Sequence, residues 1–73
     1  MKNKDPNLIA IGRHFKKLRQ EQRMSQEDIA HKADLNFSYY GKIERGEQNP
    51  SILICLKIAW ALEKKLPEIF PFI

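Results

Sequence analysis

Two short helices in the middle of the chain restrict the fold more than any other feature of the sequence. Ser25 and Asp28 have the spacing of a capping box, which predicts that a helix starts directly after this serine. Asn36 predicts the start of the next helix, and Gly46 predicts its end. The tight turn between them carries one apolar residue, Leu35, which we expect to be buried. Two helices of about eight residues joined in this way form a helix-turn-helix unit.

Helices are also predicted on both sides of this unit. Asp5 followed by Pro6 predicts the start of a first helix that runs to about Gln22. An N-cap at Ser51 introduces a fourth helix, and a short fifth helix is expected over Leu66–Phe70. The inner stripe of the fourth helix is predicted to comprise Ile52, Cys55, Leu56, Ala59 and Leu62. Because no segment alternates in the manner of a strand, the sequence predicts an all-α protein of five short helices, with residues 1–73 in a single domain.

Composition limits the possible functions. The chain has 73 residues, one cysteine and a formal net charge of +4, with a sequence pI near 9.4. A positive charge favours an anionic partner over a cationic one. A single cysteine excludes an internal disulfide framework and a cysteine-based zinc cluster. No apolar run approaches the ~18 residues of a membrane span, and no signal-peptide segment is evident. We therefore expect a cytoplasmic protein with no membrane partner, metal or cofactor.

Three motifs in order carry a family resemblance. The chain contains S-Q-E-D-I-A, then I-E-R-G-E-Q-N-P-S, then L-K-I-A-W-A-L. The segment 24–62 thereby resembles the lambda-repressor-like, Cro-type helix-turn-helix regulators of bacteria and phages, the xenobiotic-response-element class. Its pattern Tyr-x-x-x-Ile-Glu-Arg-Gly-Glu-x-Asn is similar to the small controller proteins of restriction–modification systems. The resemblance covers about residues 8–70 and implies a compact five-helix lambda-repressor-like DNA-binding domain, with its helix-turn-helix formed by helices 2 and 3.

The resemblance implies that residues 36–45 form a recognition helix that lies in the major groove of duplex DNA. The outward positions expected to read base edges are Phe37, Ser38, Gly41 and Lys42. A lysine can donate to guanine O6 and N7, a serine can pair with several bases, and a phenylalanine ring can pack on a thymine methyl. Tyr40 is expected to place its ring in the core and its hydroxyl at solvent or at a phosphate.

Gly41 has two explanations that the sequence leaves open. A glycine inside a helix costs about 1 kcal/mol relative to alanine. This glycine would either let the duplex approach the helix closely or relieve crowding against a neighbouring helix.

Six further residues are expected, from the resemblance, to contact the sugar–phosphate backbone: Gln26, Asn36, Tyr39, Arg45, Gln48 and Asn49. The family uses a glutamine at the position of Gln26 both to bind phosphate and to brace the recognition helix. Arg19 and Glu44 match a family pair that locks the first helix to the third, a task that suits a bidentate arginine–carboxylate bridge. The alternative for this pair is two separate surface charges.

Apolar residues outside the predicted inner stripe indicate an interface. Leu53 and Trp60 lie at positions where the family has charged or polar residues, and the tail adds Phe70 and Phe72. Exposed aromatic residues on a small basic domain favour a two-fold homodimer, which also matches the two half-sites of an operator. The alternative is a larger monomer core in which the tail folds back over Trp60.

The expected function is therefore sequence-specific binding of duplex DNA by a dimeric transcriptional regulator, such as a repressor or a controller protein. Catalysis is not expected, because His14 and His31 have no matched ligand set and no phosphate loop or nucleophile motif is present. No small-molecule ligand is expected either. The alternative function is an antitoxin-like or adaptor module that uses the same fold to bind a protein.

Overall fold

Five α-helices form in residues 5–70, the part of the chain that the computed structural model describes. They are α1 (Pro6–Glu21), α2 (Gln26–Lys32), α3 (Phe37–Glu44), α4 (Ile52–Leu62) and α5 (Leu66–Ile69). No strand occurs among these residues, so the predicted all-α class and the order of five short helices are confirmed. None of the five helices combines the length and the apolar character that a membrane span requires.

Side-chain caps set the starts of the first four helices. The predicted N-caps at Asp5, Ser25, Asn36 and Ser51 are all present, and each accepts a hydrogen bond from a backbone N–H of its helix. At α2 the cap is reciprocal: the Asp28 N–H donates to Ser25 Oγ at 3.0 Å, and the Ser25 N–H donates to Asp28 Oδ2 at 2.8 Å. Hydrogen bonding from Ser25, chiefly from its backbone N–H, holds the pKa of the Asp28 carboxyl below its usual value. The caps satisfy donors that a helix leaves unpaired, so polar residues fix where each helix begins.

Residues with left-handed backbone conformations end the same four helices. Arg23, Asp34 and Glu63 have a φ of 57°, and Gly46 has a φ of 74°. In each case the N–H groups of that residue and of the next bond back to carbonyls of the last turn, the arrangement of a Schellman motif. The turn after α2 thereby packs Leu35 against the core, although this residue is half-buried where full burial is predicted. Of these four residues Gly46 has the strongest preference for this conformation and Asp34 has a weaker one, whereas Arg23 and Glu63 have none, so the sequence gives no local signal for the left-handed backbone at those two positions.

One apolar core lies between the helices. Its largest fully buried side chains come from all five helices: Phe15, Ile29, Tyr40, Ile43, Ile58, Leu62 and Ile69. The predicted inner stripe of α4 is partly wrong, because Ile52 and Leu56 are exposed while Ile58 and Ala61 are buried. Ten of the eleven residues of α4 are apolar and Lys57 is the exception, so apolar periodicity cannot select the inward side of this helix.

Helices α1 and α3 approach each other closely at Gly12. A Cβ atom at this position would lie less than 3.0 Å from the carbonyl oxygens of Ile43 and Glu44, in the last turn of α3. Just beyond that turn, Gly46 lies against the backbone of Ile9. The backbones of α1 and of the end of α3 are therefore in contact at two points, and no side chain fits at Gly12.

Helix α5 and the residue that follows it pack against α1. His14 Nε2 lies 2.8 Å from the carbonyl oxygen of Glu68, and the Phe15 and Phe70 rings pack with centroids 6.3 Å apart at an angle of 52°. Phe70 is half-buried against the core, whereas Trp60 stays exposed. The Phe70 ring thus packs on the monomer core but keeps an exposed part, and its place in a dimer interface stays a prediction. Phe72, the fourth predicted interface residue, lies outside the described residues.

We expect Gly12→Ala to destabilise the protein by about 2 kcal/mol or more, because α1 would have to move away from the last turn of α3. The gain of about 1 kcal/mol in helix propensity is too small to offset a clash with two carbonyl groups. Gly41→Ala is the matched control, since the nearest atom there belongs to the flexible side chain of Arg45. Urea denaturation followed by circular dichroism measures both variants. Equal stability of the two would contradict the close approach of α1 and α3.

Candidate nucleic-acid interface

A buried ion pair joins α1 to α3. Arg19 Nε donates to Glu44 Oε2 at 2.6 Å, and Arg19 Nη2 donates to Glu44 Oε1 at 3.0 Å. Only 8% of Arg19 and 5% of Glu44 is exposed. Arg19 Nη1 also donates to the carbonyl oxygen of Met24 at 2.8 Å, in the loop before α2. The structure thus brings together the two residues that the sequence pairs, in the bidentate form and not as separate surface charges.

Gln26, the first residue of α2, adds a third hydrogen bond to this pair. Its Nε2 donates to Glu44 Oε1 at 2.9 Å, so the Glu44 carboxylate accepts from both α1 and α2. Its Oε1 lies 3.5 Å from the point where a Cβ of Gly41 would be, in the middle of α3. Gln26 is half-buried and braces α3, one of the two roles that the family resemblance implies for it.

Burial and hydrogen bonding act in opposite directions on the Glu44 carboxylate. Burial favours its neutral form, but hydrogen bonds from Arg19 and Gln26 outweigh burial and hold the pKa of Glu44 below its usual value. The hydrogen bond to Glu44 also raises the pKa of Arg19, against the effect of burial. Both partners are therefore charged at neutral pH, and the pair keeps its bidentate geometry.

The Tyr40 side chain lies in the core beside this pair. Its ring is fully buried, as predicted, but its hydroxyl is buried as well. Burial has the largest effect on the pKa of this hydroxyl and raises it, and the neighbouring Glu44 carboxylate raises it further. The hydroxyl and the carboxylate do not have the geometry of a hydrogen bond. The expectation that the hydroxyl reaches solvent or a phosphate is wrong, because it lies inside, next to Glu44 and Arg19.

The outer side of α3 carries three of the four expected base-reading residues. Ser38 and Lys42 are exposed and lie one helical turn apart, and Phe37 is 51% exposed in the first turn. Tyr39, an expected phosphate contact, is half-buried against the core. Asn36, another expected phosphate contact, is exposed, and its Oδ1 accepts from the Tyr39 N–H at 3.1 Å.

Gly41, the fourth expected base-reading residue, is not outward. It is buried, and a Cβ there would lie 3.1 Å from Arg45 Nη1, so the prediction is corrected: the Arg45 guanidinium covers this glycine. Arg45 Nε donates to Glu47 Oε2 at 3.2 Å, and both of these side chains remain partly exposed. In the loop that leads to α4, Gln48 is half-buried and Asn49 is exposed.

Four polar side chains and the Phe37 ring, all at least partly exposed, form one surface on and beside α3, which we call the α3 surface. It consists of Gln26, Phe37, Ser38, Lys42 and Arg45. Two of these residues carry positive charge, and the N-termini of α2 and α3 add the positive ends of their helix dipoles. Within residues 5–70, no three His, Cys, Asp or Glu side chains are grouped in a way that could hold a metal ion. The α3 surface is therefore suited to contact an anionic partner through hydrogen-bond donors.

A second exposed surface lies on α4 and is apolar. It consists of Ile52, Leu53, Leu56 and Trp60, which we call the α4 face, and Trp60 is 69% exposed. The last three of these residues line a groove of about 470 Å³ together with Ala33, which follows α2, and the groove is also lined by the charged residues Lys32, Asp34 and Lys57. The α4 face contains two predicted interface residues, Leu53 and Trp60, and it adds two residues that the sequence assigns to the core.

A family model described as helix-turn-helix matches residues 15–69, which include the end of α1 and all of α2 to α5. The chain belongs to this helix-turn-helix family. The match confirms the resemblance that the sequence motifs indicate. Among relatives within the family, the control protein C.MunI of Mycoplasma sp is 41% identical over 63 residues, which are 85% of each chain. The immunity repressor protein of Bacillus phage phi105 is 37% identical over 54 residues, which cover 74% of this chain and 38% of that protein.

Solved structures of helix-turn-helix proteins share the fold. The restriction-modification controller protein C.AhdI from Aeromonas hydrophila has a TM-score of 0.89 and 36% identity, over 90% of this chain and 100% of that chain. The controller protein C.Esp1396I, solved as a tetramer in complex with its natural 35 base-pair operator, has a TM-score of 0.86 and 33% identity. That match covers 92% of this chain and 88% of the other. The predicted similarity to controller proteins is therefore confirmed.

Two residues that shape this helix-turn-helix domain are not among the predicted site residues. Gly12 lets α1 contact the last turn of α3, and a lone glycine inside a helical pattern is a signal of such close approach. Glu47 pairs with Arg45 at the edge of the α3 surface. An acid two residues after an arginine is too common a pattern to be singled out from sequence.

Arg19→Met is expected to destabilise the helix-turn-helix domain by about 3–5 kcal/mol, because Glu44 would remain buried without its arginine. Glu44→Leu should also destabilise it, because the Arg19 charge is then stranded. The double variant is expected to be more stable than either single variant, since neither charge is left alone. Urea denaturation arranged as a double-mutant cycle measures the coupling. An unchanged stability of the Arg19→Met variant would contradict the buried geometry.

A pH series is the second readout for this pair. The pKa of Glu44 is below its usual value of 4.5 in the folded protein, so the unfolded chain binds a proton first as the pH falls. The stabilisation by the pair is therefore fully present above a pH of about 4.5 and is lost as the pH falls through the folded pKa. The double variant lacks this contribution and should show a weaker loss of stability over the same range.

Proposed function

We propose that this protein is a transcriptional regulator that binds a specific duplex DNA sequence as a dimer, with α3 in the major groove. The observation that carries the proposal is the α3 surface, whose exposed donors stand on a helix that a buried ion pair holds in place. The C.Esp1396I tetramer, solved with its natural operator, supports the proposal because it shares the fold at 33% identity.

Helix α3 has dimensions that suit the major groove. An α-helix with its side chains is about 10–12 Å in diameter, and the groove is about 12 Å wide. Lys42 is proposed to donate to guanine O6 or N7, and Ser38 to bond a base edge one turn earlier. Phe37, at the N-terminal end of α3, offers an apolar contact for a thymine methyl. These three residues are the proposed base-reading set.

A second set of residues is proposed to hold the DNA backbone. It comprises Gln26, Asn36, Tyr39, Arg45, Gln48 and Asn49. These residues lie at the first turn of α2, at the two ends of α3 and in the loop after α3. Phosphate contacts are independent of sequence, so this set supplies affinity and register while the base-reading set supplies specificity.

The α4 face is proposed to pair with the same face of a second copy. In a two-fold interface each copy buries the same residues, so one apolar patch is sufficient to build it. A contiguous apolar patch with an exposed tryptophan is unusual on the surface of a monomer. On this face Leu53 and Trp60 remain proposed interface residues, and Ile52 and Leu56 join them.

The proposed role is regulation and not catalysis. The relatives of this chain are described as a control protein, an immunity repressor and restriction-modification controller proteins. The protein is proposed to act in the cytoplasm on a DNA operator, without a small-molecule ligand. Repression and controller activity both fit this description, since each requires specific binding to an operator.

The proposal predicts salt-dependent binding to duplex DNA. If a dimer neutralises about 8 phosphates, log K should fall against log salt with a slope of roughly −7. Fluorescence anisotropy with a duplex selected from a random pool measures this slope. A slope near zero would favour the antitoxin-like or adaptor module, which binds a protein instead of DNA.

Two variants separate base reading from backbone binding in the same assay. Lys42→Ala is expected to relax the preference at one operator position, at a cost of about 1–3 kcal/mol for the preferred base. Arg45→Ala is expected to weaken binding to all sequences alike and to make the salt slope shallower by about one for each lost phosphate contact. The division of roles would be wrong if both variants gave the same sequence profile.

Trp60→Glu is expected to yield a folded monomer, because a charge in the α4 face cannot be buried between two copies without a partner. The variant should bind a half-site weakly and lose most of its binding to a two-fold operator, whose half-sites lie about 34 Å apart. Sedimentation measures the assembly and circular dichroism the fold. Gln20→Glu, which adds the same charge to an exposed position of α1, is the control. A dimeric Trp60→Glu variant would show that the interface lies elsewhere, and an unfolded one would assign Trp60 to the monomer core.

A further inference from the structure

Gly41 lies in the middle of α3, where glycine weakens a helix relative to alanine. Its backbone conformation does not require glycine, because Gly46 is the glycine with a positive φ in the described part of the chain. The reason for a glycine must therefore lie in its surroundings. The nearest atoms to its Cβ position belong to the side chains of Arg45 and Gln26.

The Arg45 side chain folds back over Gly41. Arg45 Nη1 lies 3.1 Å from the Cβ position and Arg45 Cζ lies 4.0 Å from it. The guanidinium therefore rests against the helix surface, one turn before the residue that carries it. The shorter distance is below the optimum of about 3.5–4.0 Å for non-bonded heavy atoms, so an alanine methyl would displace the guanidinium.

Oxygen atoms of two other residues lie at this site, one bonded to the guanidinium and the other close to the Cβ position of Gly41. Glu47 Oε2 accepts from Arg45 Nε at 3.2 Å, and Gln26 Oε1 lies 3.5 Å from the same Cβ position over Gly41. The Gln26 amide cannot turn freely, because its Nε2 donates to Glu44 Oε1. The site formed by Gln26, Gly41 and Glu47, which we call the Arg45 seat, is thus connected to the buried ion pair.

We propose that Gly41 is a positioning residue for DNA binding: it leaves the space in which the Arg45 guanidinium is held on the α3 surface before DNA arrives. This inference rests on the proposed function. A free arginine side chain loses rotamer freedom when it binds a phosphate, and a side chain that is already ordered loses less. Gly41 therefore acts through Arg45 and makes no contact with DNA of its own. This differs from both explanations that the sequence leaves open, because the nearest group is the arginine at the end of the same helix and not the duplex or a neighbouring helix.

A double-mutant cycle in DNA binding tests this proposal. The four proteins are the unmodified chain, Gly41→Ala, Arg45→Ala and the double variant, and the probe is the duplex that the unmodified chain selects from a random pool. Gly41→Ala is expected to weaken binding about threefold to tenfold in the unmodified background and less than about twofold in the Arg45→Ala background. Arg45→Lys provides a further background, since a lysine does not fill the seat and Gly41→Ala should again have little effect.

The outcomes are distinct. Gly41→Ala should melt at the same temperature as the unmodified chain or higher, so a loss of binding cannot be attributed to unfolding. An equal loss in all three backgrounds would mean that the duplex approaches Gly41 directly and would overturn the proposal. Unchanged binding by Gly41→Ala in the unmodified background would overturn it as well. If the unmodified chain selected no duplex, the proposed function itself would be wrong. The proposed role of Gly41 in DNA binding would then be wrong for that reason, and not because of the mutant cycle.

Discussion

The ion pair between Arg19 and Glu44 is the contact on which the arrangement of α1, α2 and α3 depends. The free-energy cost of removing both charges from water offsets much of their attraction, so the pair fixes the relative orientation of the helices more than it adds net stability. Its hydrogen bonds fix that orientation, because the arginine also donates to the carbonyl of Met24 and the carboxylate also accepts from Gln26. At the same end of α3, Gly12 removes the side chain that would separate the backbones. Polar contacts, together with the close backbone approach that Gly12 allows, therefore hold the three helices in a fixed arrangement.

The same contacts extend outward to the surface that is proposed to bind DNA. Glu44 orients the Gln26 amide, and both Gln26 and the Arg45 guanidinium lie over Gly41. A helix that carries base-reading side chains must not shift on its scaffold, since a displacement of about 1 Å removes hydrogen bonds to base edges. The buried pair and the exposed donors are thus parts of one arrangement, in which the buried contacts determine the positions of Lys42 and Arg45 on the surface.

Much of this arrangement follows from the sequence, because caps and helix ends are local signals. Ser25 and Asn36 start their helices as expected, and the Arg19 and Glu44 side chains meet as the family resemblance implies. Helix α4 shows where local signals fail: nearly every residue is apolar, so only packing decides that Leu56 faces outward. Gly41 shows the same limit, since its neighbours come from a different helix and from a side chain that folds back on its own helix. Contacts of this kind depend on tertiary structure and leave no periodic pattern.

A nuclear magnetic resonance titration tests the central claim most directly. The isotope-labelled protein is mixed with the duplex that it selects from a random pool and, separately, with a duplex of the same composition in scrambled order. The account predicts that the selected duplex shifts the amide signals of Phe37–Glu44, of the first turn of α2 and of residues 45–49, and that those of α5 stay in place. It also predicts smaller and less localised changes with the scrambled duplex. Changes confined to α4 and α5, or identical changes with both duplexes, would contradict it.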